Sequence, residues 1–219
     1  MWPASSERFD PDAVTDKGDI AGLMLAGGAG RRMGGVNKAL VPLAGRPLIA
    51  HAVHRLAPQV AAIAISANRD ADRLAAFNLP ILPDHDPRLL GPLAGILAGL
   101  RWANGQGYSH LATAAADTPF PPLDWVGRLT EGLAEGQAGI ALASSGGRVH
   151  PVFGLWPVAL CAALAAHLDQ SEDRSVMAFA RAQGMREVGF HVEGGDPFFN
   201  VNTPDDLDRA RRLIGETDG

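Results

Sequence analysis

Between Leu25 and Lys38 the sequence LAGGAGRRMGGVNK sets five glycines and three cations within fourteen residues. Gly27, Gly28, Gly30, Gly34 and Gly35 have no Cβ, so the backbone amides can turn toward a bound anion. Arg31, Arg32 and Lys38 bring positive charge to the same place. Together they suit a polyphosphate. The plain alternative is a flexible surface loop with incidental charge; the apolar run IAGLML directly before it points to a strand-borne loop instead. Two familiar phosphate loops do not fit. A Walker loop needs GxxxxGK[ST], but Val36 follows Gly35 and Ala39 follows Lys38. The dinucleotide fingerprint GxGxxG begins at Gly28 and meets Met33 where its last glycine belongs, with Gly34 one place late.

Other polar residues sit just past apolar runs. Asn68 follows AAIAIS, Asp84 follows PIL, and Asp117 follows HLATAAA. Asp117 precedes Thr118-Pro119, so it is either a turn residue or a hard oxygen ligand at a strand exit. Asp86 lies close enough to Asp84 that either carboxylate suits a ligand or a loop. Asn200 and Asn202 alternate as strand or turn residues do, which leaves a substrate role open. His51 and His54 have HxxH spacing without a third ligand nearby and read as helix-face residues. The single cysteine, Cys161, excludes a disulfide framework and a multi-cysteine zinc site, and its apolar helix suggests core packing.

The elements that must hold these residues alternate. Ile20–Leu25 reads as a buried strand, followed by a helix after Pro47 carrying Leu48, Ile49, Ala52, Val53 and Leu56. Strands are expected at Ala61–Ser66 and Pro80–Leu82, with a short helix Asp70–Phe77 between them. A helix spans Gly91–Ala103, a strand His110–Ala116 and a helix Leu123–Glu135. Two strands, Ile140–Ala143 and Val149–Trp156, flank a turn at Ser144-Ser145-Gly146-Gly147. Helices near Val158–Leu168 and Ser175–Gln183, a strand Glu187–Val192, and a helix from Pro204 capped by Thr203 complete the pattern. Alternation of this kind predicts an α/β fold with a largely parallel sheet covered on both faces, whose ligands sit beyond the C-terminal strand ends. Residues 1–19 read as a flexible tail and residues 20–219 as one domain.

With 219 residues, 47% of them hydrophobic and 20% charged, the chain has ordinary globular composition and length for a full core. A net charge of −5 argues against a general nucleic-acid or anionic-membrane binder but not against a small anionic ligand. No secretory signal and no apolar run near the ~20 residues of a membrane span is present, so a cytoplasmic location is expected.

The loop resembles the LAGGxxxRMGxxK motif of the molybdenum cofactor guanylyltransferases. The likeness continues through SANR at Asn68, ILPD at Asp84, GPLAG at Gly91–Gly95, DTP at Asp117 and FNVNTP at Phe199–Pro204, in the family's order and roughly its spacing. The resemblance implies a three-layer Rossmann-like nucleotidyltransferase fold with a mostly parallel twisted sheet. It also implies transfer of GMP from GTP to molybdopterin, with release of pyrophosphate. On the nucleotide side it implies Leu25, Ala26, Gly27, Gly28, Lys38, Asn68, Asp84 and Asp117. Asp117 would hold Mg2+, and Arg32, Lys38 and Asp117 would carry turnover. Gly95, His150, Asn200 and Asn202 are implied on the molybdopterin side. Two departures are visible: Ala29-Gly30 is unusually small, and Asn37 stands where aspartate is common.

Such chemistry needs no strong general base, because the attacking phosphate is already ionised at neutral pH. The barrier is electrostatic, and cations with good positioning lower it. Asp84 would favour guanine, since a carboxylate can accept from both N1–H and the amino group. The rivals are a cytidylyltransferase acting on molybdopterin or another phosphorylated acceptor, a sugar-phosphate nucleotidyltransferase, a non-catalytic nucleotide-binding or cofactor-delivery protein, and a dehydrogenase. Gly27-Gly28 speaks against cytidine, and the failed fingerprint against the dehydrogenase. GTP and molybdopterin are the expected small-molecule partners, with transient contact to cofactor maturation proteins or apo-molybdoenzymes, and no nucleic acid or membrane.

Overall fold

A computed structural model describes residues 17–27, 37–83, 91–134, 139–192 and 194–215. Its first strand, β1 (Ile20–Leu25), is buried on both faces. Ile20 and Met24 point into one hydrophobic layer, and Ala21 and Leu23 into the other, as the two-residue period of a strand requires. A small hairpin follows, β2 (Pro42–Leu43) with β3 (Arg46–Pro47), and then helix α1 (Leu48–Leu56). Strand β4 (Ala62–Ser66), helix α2 (Ala71–Leu74) and strand β5 (Ile81–Leu82) complete the first edge. Next come α3 (Pro92–Gly105), β6 (His110–Ala115) and α4 (Trp125–Ala134). The second half contains β7 (Ile140–Ser145), β8 (Arg148–Pro157), α5 (Cys161–Gln170), α6 (Val176–Ala182), β9 (Met185–Phe190) and α7 (Pro204–Gly215).

The main sheet has seven strands in the order β5-β4-β1-β6-β8-β7-β9. Every pairing is parallel except those of β8, which runs against both β6 and β7. Helices α1, α2 and α4 cover one face, while α3, α5 and α6 cover the other. The three-layer, mostly parallel architecture expected from the sequence is therefore what forms. Because β8 is antiparallel, its beginning lies at the same edge as the ends of β1, β4 and β6. That edge receives Ala26, Gly27, Asp117 and the start of β8 together.

The positions of α3 and α4 depend on two local devices. Gly95 and Gly99 lie one turn apart on the sheet-facing side of α3. A Cβ on Gly95 would come within 2.5 Å of Ser66 Oγ, and one on Gly99 within 2.6 Å of Leu23 Cδ2. Both glycines let the helix lie close on the sheet. Near α4, buried Gln59 accepts a hydrogen bond from Val126 N at 2.9 Å and donates to Arg55 O at 2.8 Å and Pro122 O at 3.2 Å. It satisfies an amide at the start of α4 that has no intrahelical acceptor. Gln59→Leu should lower stability by about 1–3 kcal/mol by orphaning those groups. Urea denaturation checks this, with turnover per folded molecule expected to stay near wild type.

Several boundaries differ from the sequence reading by a few residues. The β7–β8 turn is Gly146-Gly147, both at positive φ (55° and 77°), and Ser144 and Ser145 are strand residues. Two residues at positive φ match the tight hairpin that follows strand twist. Strand β9 begins at Met185 rather than Glu187 and ends at Phe190 rather than Val192. It is an edge strand with one open face, so its polar residues mask the alternation. The β2–β3 hairpin was not anticipated; two residues per strand, bounded by prolines, carry no periodic signal. The expected tail is described only from Lys17, where a single 3-10 turn, Lys17–Asp19, leads into β1.

Candidate active site

A cavity of about 300 Å3 opens at the shared strand edge. Leu25, Ala26 and Gly27 line it from the exit of β1, and Ser66 from the end of β4. Lys38 enters from a 3-10 turn capped by Asn37, whose side chain accepts from Ala39 N at 3.1 Å. Gly91, Pro92 and Gly95 present the first turn of α3, which begins with proline at a position where no amide donor is needed. Asp117, Val152 and Asn200 close the other side.

Asp117 follows β6 and is half-buried. Burial raises its carboxyl pKa above the ordinary value, against the lowering influence of the Lys38 charge and of its own backbone amide. The structure therefore keeps a costly negative charge beside a lysine in an open cavity. Among the described residues no group of three or more His, Cys, Asp or Glu side chains gathers to hold a metal. Asp117 thus offers one hard oxygen, which fits a cation that takes its remaining ligands from phosphate and water.

The two asparagines come to the site through contacts over long sequence distance. Lys38 Nζ donates to Asn202 Oδ1 at 2.6 Å, across 164 residues. The hydroxyl of fully buried Thr118 donates to Asn200 Oδ1. Both side-chain oxygens are thereby engaged, and each asparagine keeps its amide NH2 as the group with which it can donate. Between them, Val201 N donates to Asp117 O at 2.8 Å, tying this segment to the strand exit that carries the carboxylate. Asp206 fixes the far end: its Oδ2 accepts from Asn202 N at 3.0 Å and Thr203 N at 2.9 Å, while Thr203 Oγ1 accepts from Asp206 N at 3.2 Å. This capping box starts α7, as the Thr203 cap in the sequence suggests, and it also sets Asn202.

The structure thus brings together Leu25, Ala26, Gly27, Lys38, Gly95, Asp117 and Asn200 around one cavity, with Asn202 attached through Lys38. Asn68 is exposed two residues beyond Ser66, which lines the cavity. His150 is buried and hydrogen-bonded to Ser145, and it is not among the lining residues. Gly28, Arg32 and Asp84 lie outside the described residues. Thr118, Ser145 and Asp196 are not singled out for the site by the sequence reading, which gives Asp206 only as a charge favouring the start of the last helix. Only Asp206, three residues after a threonine at a helix start, carries a local signal of its role.

This geometry can be compared with known proteins. Residues 22–187 match the family model described as the MobA-like NTP transferase domain. A molybdenum cofactor guanylyltransferase of Cereibacter sphaeroides is 51% identical over 195 residues, covering 89% of this chain and 97% of that protein. The chain belongs to the molybdenum cofactor guanylyltransferase family. Another family member, from Mesorhizobium japonicum, is 46% identical over 200 residues and covers 90% of this chain and 96% of its own. Among solved structures, the molybdopterin-guanine dinucleotide biosynthesis protein A of Archaeoglobus fulgidus superposes with a TM-score of 0.70 at 25% identity, covering 90% of this chain and 99% of that one. A 4-diphosphocytidyl-2C-methyl-D-erythritol synthase from Anaerococcus prevotii reaches a TM-score of 0.68 at 12% identity, a likeness of fold alone. The family's nucleotidyltransferase fold agrees with the sheet order and with a site at the parallel strand ends. The domain match stops at residue 187, so Asn200 and Asn202 lie in the segment beyond it.

Proposed function

We propose that this chain transfers GMP from GTP to molybdopterin, giving the guanine dinucleotide form of the cofactor and pyrophosphate. The observation that carries this reading is the single cavity shared by Lys38, Asp117 and Asn200, with Asn202 joined to Lys38. Membership of the guanylyltransferase family supplies the choice of nucleotide and acceptor.

In this reading a phosphate oxygen of molybdopterin forms a bond to the α-phosphorus of GTP, and the bond from that phosphorus to pyrophosphate breaks. The acceptor phosphate arrives ionised, so no side chain needs to remove a proton. The backbone stretch Leu25, Ala26 and Gly27, with Gly28 of the same loop, lies against the nucleotide. Lys38 and Arg32 offset charge on the triphosphate and on the departing pyrophosphate. Asn68 and Asp84 hold the guanosine, and Asp84 is the group that can accept twice from the guanine edge. Asn200 and Asn202 donate from their amides to the acceptor, with Gly95 keeping α3 close to Ser66 and Leu25 beside it. Asp117 would hold the divalent cation, which we assign as magnesium because one carboxylate completed by phosphate and water suits that ion. When bound, magnesium would neutralise and orient phosphate oxygens.

Pyrophosphate release with GTP, CTP and ATP on molybdopterin tests the reading. GTP should be used strongly in preference to the others; equal or better turnover with CTP would overturn the guanine assignment. Among the described residues no helix is long and apolar enough to cross a membrane. We place the reaction in the cytoplasm, with product handed to maturation proteins or apo-molybdoenzymes.

A further inference from the structure

Ser145, His150 and Asp196 meet beside the β7–β8 turn, where the chain toward Asn200 begins. Ser145 Oγ donates to Asp196 Oδ1 at 2.8 Å and lies 2.6 Å from His150 Nε2. A hydroxyl has one proton and a carboxylate only accepts. That proton therefore points to Asp196, and His150 donates Nε2–H to Ser145 Oγ. The order is histidine, serine, carboxylate. A nucleophilic relay needs the imidazole between the other two, where it can take the hydroxyl proton. Ser145 and His150 are also only 6% and 7% exposed, which closes them to a substrate.

What these groups hold is backbone. The same Asp196 Oδ1 accepts from Phe198 N at 2.9 Å, and Phe199 N donates to Asp196 O at 3.1 Å, folding residues 196–199 into a turn. The Phe198 ring rests against the His150 ring at 4.8 Å and packs on Phe153 and Phe190. One end of the segment is thus fixed by Ser145 and His150. The other is fixed by Asp206 through Asn202 N and Thr203 N. Asn200 and Asn202 lie between the two anchors, on either side of Val201, whose amide is tied to Asp117 O.

We propose that Ser145, His150 and Asp196 are positioning residues for the acceptor, setting where Asn200 and Asn202 present their amides to a phosphorylated pterin. This rests on the reading that those asparagines face molybdopterin. Losing the first anchor frees the start of the segment. The exit of β1 and Asp117 stay fixed by the sheet, so the nucleotide side is left in place.

The test uses the full chain with Ser145→Ala, which removes the hydroxyl and both of its bonds without adding bulk. The molybdopterin KM should rise about tenfold at saturating GTP, in line with loss of a hydrogen bond to a charged group. The GTP Kd, measured separately with magnesium, should stay within about twofold. Ser145→Thr, which keeps the hydroxyl, should restore most of the acceptor KM. Asp196→Ala, which removes the shared acceptor at a side chain 35% exposed and so tolerant of exchange, should show the same split and serves if Ser145→Ala does not fold. An unchanged acceptor KM in a folded Ser145→Ala or Asp196→Ala protein overturns the proposal. So does an equal weakening of GTP binding, or failure of Ser145→Thr to rescue. Asn202→Ala is measured alongside. If it also leaves the acceptor KM unchanged, the acceptor reading itself has failed; if it raises KM while Ser145→Ala does not, only the positioning role has.

Discussion

Replacing Asp117 with asparagine is expected to raise the melting temperature of the free protein while removing most of its turnover. Burial raises the Asp117 carboxyl pKa above the ordinary value. A group whose folded pKa lies above its unfolded value contributes stability below the unfolded value and loses it as pH rises through the folded one. At neutral pH the ionised carboxylate is therefore a net cost to folding, and asparagine has the same shape without the charge. Each kcal/mol recovered should raise Tm by about 2–4 °C in a chain of this size. The gain should shrink as pH falls toward about 4, the unfolded carboxylate range, because the wild-type side chain is then protonated as well. Turnover should fall on the order of 100- to 1000-fold with the loss of the carboxylate proposed to hold the cation. Thermal melts at several pH values and a pyrophosphate-release assay read both effects. A Tm that falls equally at every pH would show that the carboxylate stabilises the fold and that its cost has been misjudged.

Lys38→Met is expected to do two separable things. Loss of the ammonium should lower kcat/KM on the order of 100- to 1000-fold, because charge no longer offsets the polyphosphate. The Lys38 charge also lowers the Asp117 pKa. Its removal should move the acid limb of the kcat/KM profile to higher pH, the direction set by a carboxylate that has lost a nearby cation. Lys38→Arg keeps the charge but not the compact ammonium that reaches Asn202 at 2.6 Å. It should hold the acid limb near its wild-type position while turnover stays low. An acid limb that does not move in Lys38→Met would mean that a group other than Asp117 governs it.

Much of this site could be read before any coordinates, for definite physical reasons. Strand exits announce themselves as apolar runs that end in glycine or a polar residue, which is how Leu25–Gly27 and Asp117 stood out. The Thr203 cap was equally legible, because a cap bonds amides only three residues away. Contacts between distant side chains left no trace of that kind. Lys38 with Asn202, and Thr118 with Asn200 across 82 residues, depend on which strand ends the sheet gathers at one edge. His150 shows the limit most clearly. The resemblance points to it as a residue of the acceptor side, yet its ring is buried beneath that segment and bonded to Ser145. Burial pushes its pKa down, with the Arg148 charge adding to that and Asp196 opposing it. Nothing in a histidine followed by proline distinguishes a residue that touches a ligand from one that supports the backbone carrying it.

The tie between Val201 N and Asp117 O also has a consequence for how the molecule comes into being. The sheet is complete once β9 has emerged, and the nucleotide-side residues from Leu25 to Asp117 leave the ribosome well before it. The stretch from Asp196 to Asn202 follows β9, and it arrives with its own fastenings, Phe198 and Val201, both buried. A nascent chain can thus complete its sheet and the strand exit that carries Asp117 before the segment with Asn200 and Asn202 closes over them.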